Sequence, residues 1–277
     1  MKIKISCALM AIAGLLGGGA FAEDSAPSGD NLKVTLGLKA WDNKWTSAAK
    51  AYSGAIIAIP TSEELPLLPL VSVKWKNWSI SASSYTKTTH KAPSYPDQVY
   101  VPSKIAANVN YMETPIDREE YDISVGYDVL PGLTVSLGYK NVKQTFNTAY
   151  QITACDAAVG SGYDCPSLQN GVQRDTDTAT YTSTILGVQG SSLLGDTKFF
   201  VYGNASMSID GSWKFESSDG LSIQHNGDYT STEFGLGYLL SKNMVLTLGK
   251  KHQVIDDKSM GSADVTSGFI AGISYTF

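Results

Sequence analysis

Apolar and polar residues alternate with a period of two in ten separate stretches between Leu32 and Phe277. That rhythm limits the chain more than any other feature, because successive side chains of a β-strand point to opposite faces. Leu32, Val34, Leu36, Leu38 and Ala40 fall on one face, with Lys33, Thr35, Gly37 and Lys39 on the other. Tyr121, Ile123, Val125 and Tyr127 oppose Glu120, Asp122, Ser124 and Asp128 in the same way, and Phe234, Leu236 and Tyr238 oppose Glu233, Gly235 and Gly237. The stretch from Thr178 to Gln189 is the least regular, since threonines stand on both faces.

The connections alternate too. Lys76-Asn77, Leu130-Pro131-Gly132, Ser191 to Gly195 and Ser241-Lys242-Asn243 are short and rich in turn formers, whereas residues 42–67, 87–117, 143–177, 210–228 and 253–265 read as long loops. Short turns on one side and long loops on the other are the pattern of a transmembrane β-barrel. The expected fold is therefore all-β, an antiparallel barrel of about ten strands with short periplasmic turns and long extracellular loops. Trp75, Trp78, Tyr127, Tyr139 and Tyr238 lie on the apolar faces near strand ends, where a membrane interface accepts amphipathic rings. A secreted β-sandwich would also alternate, but it needs neither those rings nor loops on one side only.

Composition agrees. Only 17% of residues are charged, and an apolar band on every strand requires that. The formal charge of −5 argues against a nucleic-acid partner, which calls for a basic surface. Residues 1–22 read as a secretory signal peptide: Lys2 and Lys4, an apolar run, then Ala20-Phe21-Ala22 before Glu23. Residues 23–31 then form a short periplasmic segment and 32–277 the barrel. Removing the leader takes away two lysines and no acid, which makes the mature charge −7.

The chain ends GFIAGISYTF, with Phe269, Ile273, Tyr275 and Phe277 on one face. This tail resembles the last strand of Gram-negative outer-membrane proteins, whose final aromatic is read by the barrel-assembly machinery. Gly37-Leu38-Lys39-Ala40-Trp41 and Gly138-Tyr139-Lys140 are also similar to uncharacterised members of that class. The resemblance implies integral outer-membrane location, contact with membrane lipid and lipopolysaccharide, and a monomer.

If the apolar faces meet lipid, Lys33, Lys39, Lys74, Lys76, Lys140, Lys198 and Lys251 line the lumen with Glu120, Asp122, Asp128 and Glu233. Hairpin geometry sets Asp122 opposite Lys140 and Glu233 opposite Lys251. Two outcomes stay open: the pairs neutralise one another and plug a narrow barrel, or the surplus of lysines makes a small pore that favours anions.

Catalytic signals are weak. Ten-stranded outer-membrane proteases, the omptins, use Asp–Asp and Asp–His pairs at the extracellular rim. Here His90, His225 and His252 lie outside any Asp-x-His motif, and a rim site would need His252, Asp256 and His225 to converge. There is no G-x-S-x-G elbow, glycine-rich phosphate loop or H-E-x-x-H motif, so no catalytic residue, metal or cofactor is assigned. Cys155 and Cys165 are expected to form a disulfide in an oxidising compartment. Trp45, Tyr52, Ile56 to Ile59, Tyr95, Tyr100 and Tyr111 supply rigid contact area in the loops. The functional expectation is a narrow pore or binding channel for small solutes, without catalysis. Its alternatives are an adhesin or antigen acting through aromatic loops and, last, a rim-sited hydrolase.

Overall fold

The computed structural model describes residues 32–47, 65–101, 104–155, 171–258 and 262–277. The signal peptide, residues 23–31, Tyr52, Ile56 to Ile59 and Cys165 lie outside the described residues, as do the side chains of Tyr95, Tyr100 and Cys155.

Among the described residues twelve strands form: β1 (Lys33–Ser47), β2 (Leu67–Trp75), β3 (Trp78–Ala92), β4 (Tyr95–Val101), β5 (Lys104–Tyr111), β6 (Thr114–Leu130), β7 (Leu133–Cys155), β8 (Gln173–Leu193), β9 (Phe199–Glu216), β10 (Ser222–Leu239), β11 (Met244–Asp257) and β12 (Ser262–Thr276). Ten of them close into an antiparallel ring, β1-β2-β3-β6-β7-β8-β9-β10-β11-β12, with β12 pairing back onto β1 from Thr35↔Thr276 to Ser47↔Asp264. Closure leaves no edge, which a sheet in lipid cannot tolerate. β4 and β5 make a hairpin outside the ring, attached where Ala107 to Tyr111 pair with Tyr150 to Cys155 of β7.

The outer surface inverts the rule for a soluble protein. Leu36, Ile80, Tyr121, Ile123, Leu137, Phe234, Leu248 and Phe269 are exposed, whereas Trp41, Lys140 and Gln253 are completely buried. A large apolar surface of this kind marks a lipid or partner contact, and here it runs round the whole barrel. Rings cluster at its turn-side edge: Trp78 meets Tyr127 at 4.8 Å, Phe199 meets Tyr238 at 4.9 Å and Tyr275 meets Phe277 at 4.8 Å.

Part of what the sequence reads as long loop is strand: among the described residues only 217–221 separate β9 from β10, while residues 48–64 and 156–170 lie outside the described residues. β7 has 23 residues, although about 9–11 suffice to cross a bilayer. On β7 the outward residues change from Val135, Leu137 and Tyr139 to Asn141, Lys143 and Thr145, while Val142 turns buried on the inner face. Alternation persists above the lipid band with its phase reversed, because there water lies outside and the apolar residues must pack inside. This is why Trp45, expected in an exposed loop, is buried within the barrel.

Candidate functional site: a lumen in three levels

Toward the turns, the inward positions are small. Ser72, Ser79, Ser81, Ser124, Gly126, Ser136 and Gly138 occupy facing rows of β2, β3, β6 and β7, and the Ser81 hydroxyl donates to Ser72 Oγ at 2.9 Å. At the same end lies a cavity of about 530 Å³, lined by Lys39, Lys74, Asp128, Thr134, Gln189, Tyr202 and Asn204 together with the Pro131-Gly132 turn. Lys74 Nζ lies 2.7 Å from Asp128 Oδ2, and Thr134 Oγ1 donates to Asp128 Oδ1 at 2.6 Å. The turn residues in the lining put this vestibule at the short-turn end of the barrel.

The middle of the barrel is ionic. Lys140 is fully buried and donates to Glu120 Oε2 at 2.8 Å and to Asp122 Oδ1 at 2.9 Å. Arg118, also buried, donates through Nη2 and Nε to Glu120 Oε1 at 2.6 and 2.9 Å, and Gln253 Nε2 donates to the same carboxylate at 3.1 Å. Lys39 meets Glu233 at 2.6 Å. The cations also rest on rings: Lys251 Nζ is 4.6 Å from the Trp41 ring centre, Lys140 Nζ is 5.0 Å from that of Tyr229, and Arg118 Cζ is 4.9 Å from that of Trp45. Buried charges survive only when partnered in this way.

Above the ions the lumen is apolar and aromatic. Val142, Ala179, Tyr181, Trp213, Tyr229 and Ile255 form one buried cluster, and Trp45, Ala92 and Ile116 another, with Phe146 packed against both. Trp41 meets Tyr85 edge-on at 6.2 Å. Phe215 packs on His225 at 5.5 Å, and His225 Nδ1 lies 3.0 Å from Asp257 Oδ2.

The sequence-derived lumen residues separate accordingly. Asp122 stands opposite Lys140 and is bonded to it. Glu233 stands opposite Lys251, but its ion pair is with Lys39 across the interior. Lys198 lies exposed in the turn before β9, Lys33 is exposed at the start of β1, and Lys76 sits in the β2–β3 turn with Nζ 4.7 Å from the Trp75 ring centre. Those three leave the interior count. Arg118 and Asp264 join it, Asp264 accepting from Gln144 Nε2. Among the described residues the interior cations then include Lys39, Lys74, Lys140, Lys251 and Arg118, and the anions include Glu120, Asp122, Asp128, Glu233, Asp257 and Asp264. The lysine surplus that suggested an anion-favouring pore is gone.

The rim residues do not converge. His252 and Asp256 are exposed on the outer face of β11, while His225 and Asp257 pair on the inner side. Among the described residues no group of three His, Cys, Asp or Glu side chains could hold a metal ion. At the C-terminus Phe269, Ile273, Tyr275 and Phe277 all face outward on or beside β12, and Phe277 N donates to Val34 O at 2.8 Å, fastening the tail to β1. Arg118, Trp41, Tyr181 and Gln253 were invisible as lumen residues because the lipid-phase alternation had already ended before them.

No protein-family model matches the chain, and no curated protein sequence matches it. Among solved structures, the outer membrane protease OmpT of Escherichia coli is similar over 90% of this chain and 98% of its own, with a TM-score of 0.58 at 15% identity. The toluene transporter TodX of Pseudomonas putida gives a TM-score of 0.35 at 14% identity over 96% of this chain and 78% of its own. The attachment invasion locus protein Ail of Yersinia pestis gives 0.31 at 11% identity over 89% of this chain and 97% of its own. At such identities the OmpT likeness speaks for architecture alone: the chain is built as a closed, ten-stranded antiparallel β-barrel.

Proposed function

We propose that this protein is an outer-membrane binding barrel for a small polar solute, non-catalytic, and closed to through-flow in the state seen here. The solute enters the vestibule from the periplasmic end and meets Lys74, Asp128, Gln189 and Asn204 there. One observation carries the reading: the vestibule ends on an ionic layer in which Lys140 and Arg118 are completely buried beneath the aromatic cluster. A ten-stranded barrel has an interior close to the size that side chains fill, so such a layer occupies its cross-section. Interspersed charges of both signs in the interior suit a dipolar or zwitterionic solute better than a simple anion.

The test is sided accessibility. An Asn204→Cys variant with Cys155 and Cys165 blocked is reconstituted in oriented vesicles and treated with a membrane-impermeant maleimide. The reading expects modification from the turn side only. Equal modification from both sides contradicts it.

A second reading, surface contact by the extracellular part, is favoured by the wall that rises above the lipid band and by the β4–β5 hairpin. There Tyr111 and Tyr150 lie 5.8 Å apart and Val109 packs on Ile152. Loss of cell or glycan binding on deleting residues 95–111, with the barrel intact, would support it.

A further inference from the structure

Outward-facing cations above the lipid band mostly have carboxylate partners. Lys87 is held by Asp117 at 2.8 Å, Lys214 by Glu216 at 2.6 Å, Lys258 by Asp228 at 2.8 Å, and Lys143 lies 3.9 Å from Glu119. One arc of the wall differs. Lys44 on β1, Lys250 and His252 on β11 are all exposed, and among the described residues none has an ion-pair partner.

The register gathers these groups. His252 and Lys44 both stand opposite Ser267 of β12, one on each side. Two strand spacings of about 4.8 Å separate them, and only a small hydroxyl stands between. Lys250 lies one row lower, between Phe234 and Phe269, which are 61% and 66% exposed. Leu248, below Lys250 on the same face, is 62% exposed. The arrangement is a notch floored by Ser267, walled by three nitrogen donors, and set directly on the upper edge of the apolar band. Asp42, opposite Phe269 and one row below Lys44, is the carboxylate nearest in register, and Asp256 and Asp228 face outward two rows above His252.

We propose that this notch binds the phosphate of an anionic lipid headgroup in the outer leaflet. The phosphate oxygens accept from Lys44, Lys250, His252 and the Ser267 hydroxyl, and an acyl chain descends over Phe269 and Leu248. Long lysine side chains reach from such a boundary while their stems lie on apolar surface. Basic groups beside an anionic bilayer surface each add appreciable attraction. Asp42 offsets part of that attraction.

The full-length protein is purified in nanodiscs of phosphatidylcholine containing a minor fraction of phosphatidic acid, and lipids that stay bound on detergent extraction are counted by native mass spectrometry. Wild type is expected to keep phosphatidic acid in about ten-fold preference, and the Lys44→Gln/Lys250→Gln double variant to lose that preference. Lys143→Gln/Lys214→Gln, which removes the same charge elsewhere on the wall, should keep it. Heat-modifiable mobility checks folding, and Ser267→Leu, which fills the notch without changing charge, serves as an independent variant expected to lose the preference. The proposal is overturned if wild type shows no preference, if both double variants lose it equally, or if inorganic phosphate displaces the lipid.

Discussion

Lys39 on β1 and Glu233 on β10 are joined at 2.6 Å although β12 and β11 stand between their strands. The pair is a chord across the barrel. Only closure of the ring brings the two side chains together, and no hairpin by itself predicts the contact. Beside it Glu120 gathers Arg118 from its own strand β6, Lys140 from β7 and Gln253 from β11. The interior is therefore braced across its width at the level where the vestibule ends.

Glu120 should matter far more than Asp128, although both are luminal carboxylates. Glu120→Gln leaves Arg118 buried without its anion, and breaking a buried pair in this manner costs about 3–5 kcal/mol. Asp128→Asn faces the open vestibule, where Lys74 is 41% exposed and can turn to water, so its cost stays within about 1 kcal/mol. Urea midpoints read by heat-modifiable mobility will separate the two. Equal midpoints would contradict the sealed middle level.

Gly237 of β10 is buried and faces Phe200 of β9, whose ring lies where a Cβ would stand. Gly237→Val must push the ring aside and is expected to cost about 1–3 kcal/mol by overpacking. A Gly237→Val/Phe200→Ala double variant should recover part of that loss. If the single change leaves the urea midpoint unchanged, the ring is not seated there.

The β9–β10 turn holds a charge-dependent contact. The Leu221 amide donates to Asp219 Oδ1 at 3.1 Å and, with help from Ser217, lowers the Asp219 pKa. A depressed carboxylate pKa means that the contact contributes fully above the unfolded value near 3.9 and is lost as pH falls through the lower folded value. The Leu221 amide resonance should titrate with a midpoint below about 3.9. A midpoint at or above that value counts against the contact.

Cys155 ends β7 and Cys165 follows in the connection to β8. In an oxidising compartment they should be bridged. Peptide mapping without reductant is expected to recover the linked peptides, and a count of two free thiols in the mature protein would refute the bridge.

The lipid-facing rows were readable from the sequence because Leu36, Ile123, Leu137, Phe234 and Phe269 meet hydrocarbon on one side and small or charged residues on the other. The Asp122–Lys140 register followed from the tight Pro131-Gly132 turn, where Gly132 takes a φ of +75°. The upper barrel was hidden by the reversal of phase. Trp45 and Ile255 break the pattern set by the band below, so their stretches read as loops, and Trp41, Val142 and Tyr229 sit at the borders of such stretches. The reversal is itself a sequence signal: on β1 the apolar positions pass from even numbers at Leu36 and Leu38 to odd numbers at Trp41 and Trp45. The Lys39–Glu233 chord had no local signal, since it depends on the closed ring.

The most direct test is single-channel recording of the full-length protein in a planar bilayer. The packed ionic layer predicts no steady ohmic current from wild type, and a current that appears when Arg118, Glu120 and Lys140 are all replaced by alanine. A stable open conductance in the unmodified protein would contradict a lumen closed above its vestibule.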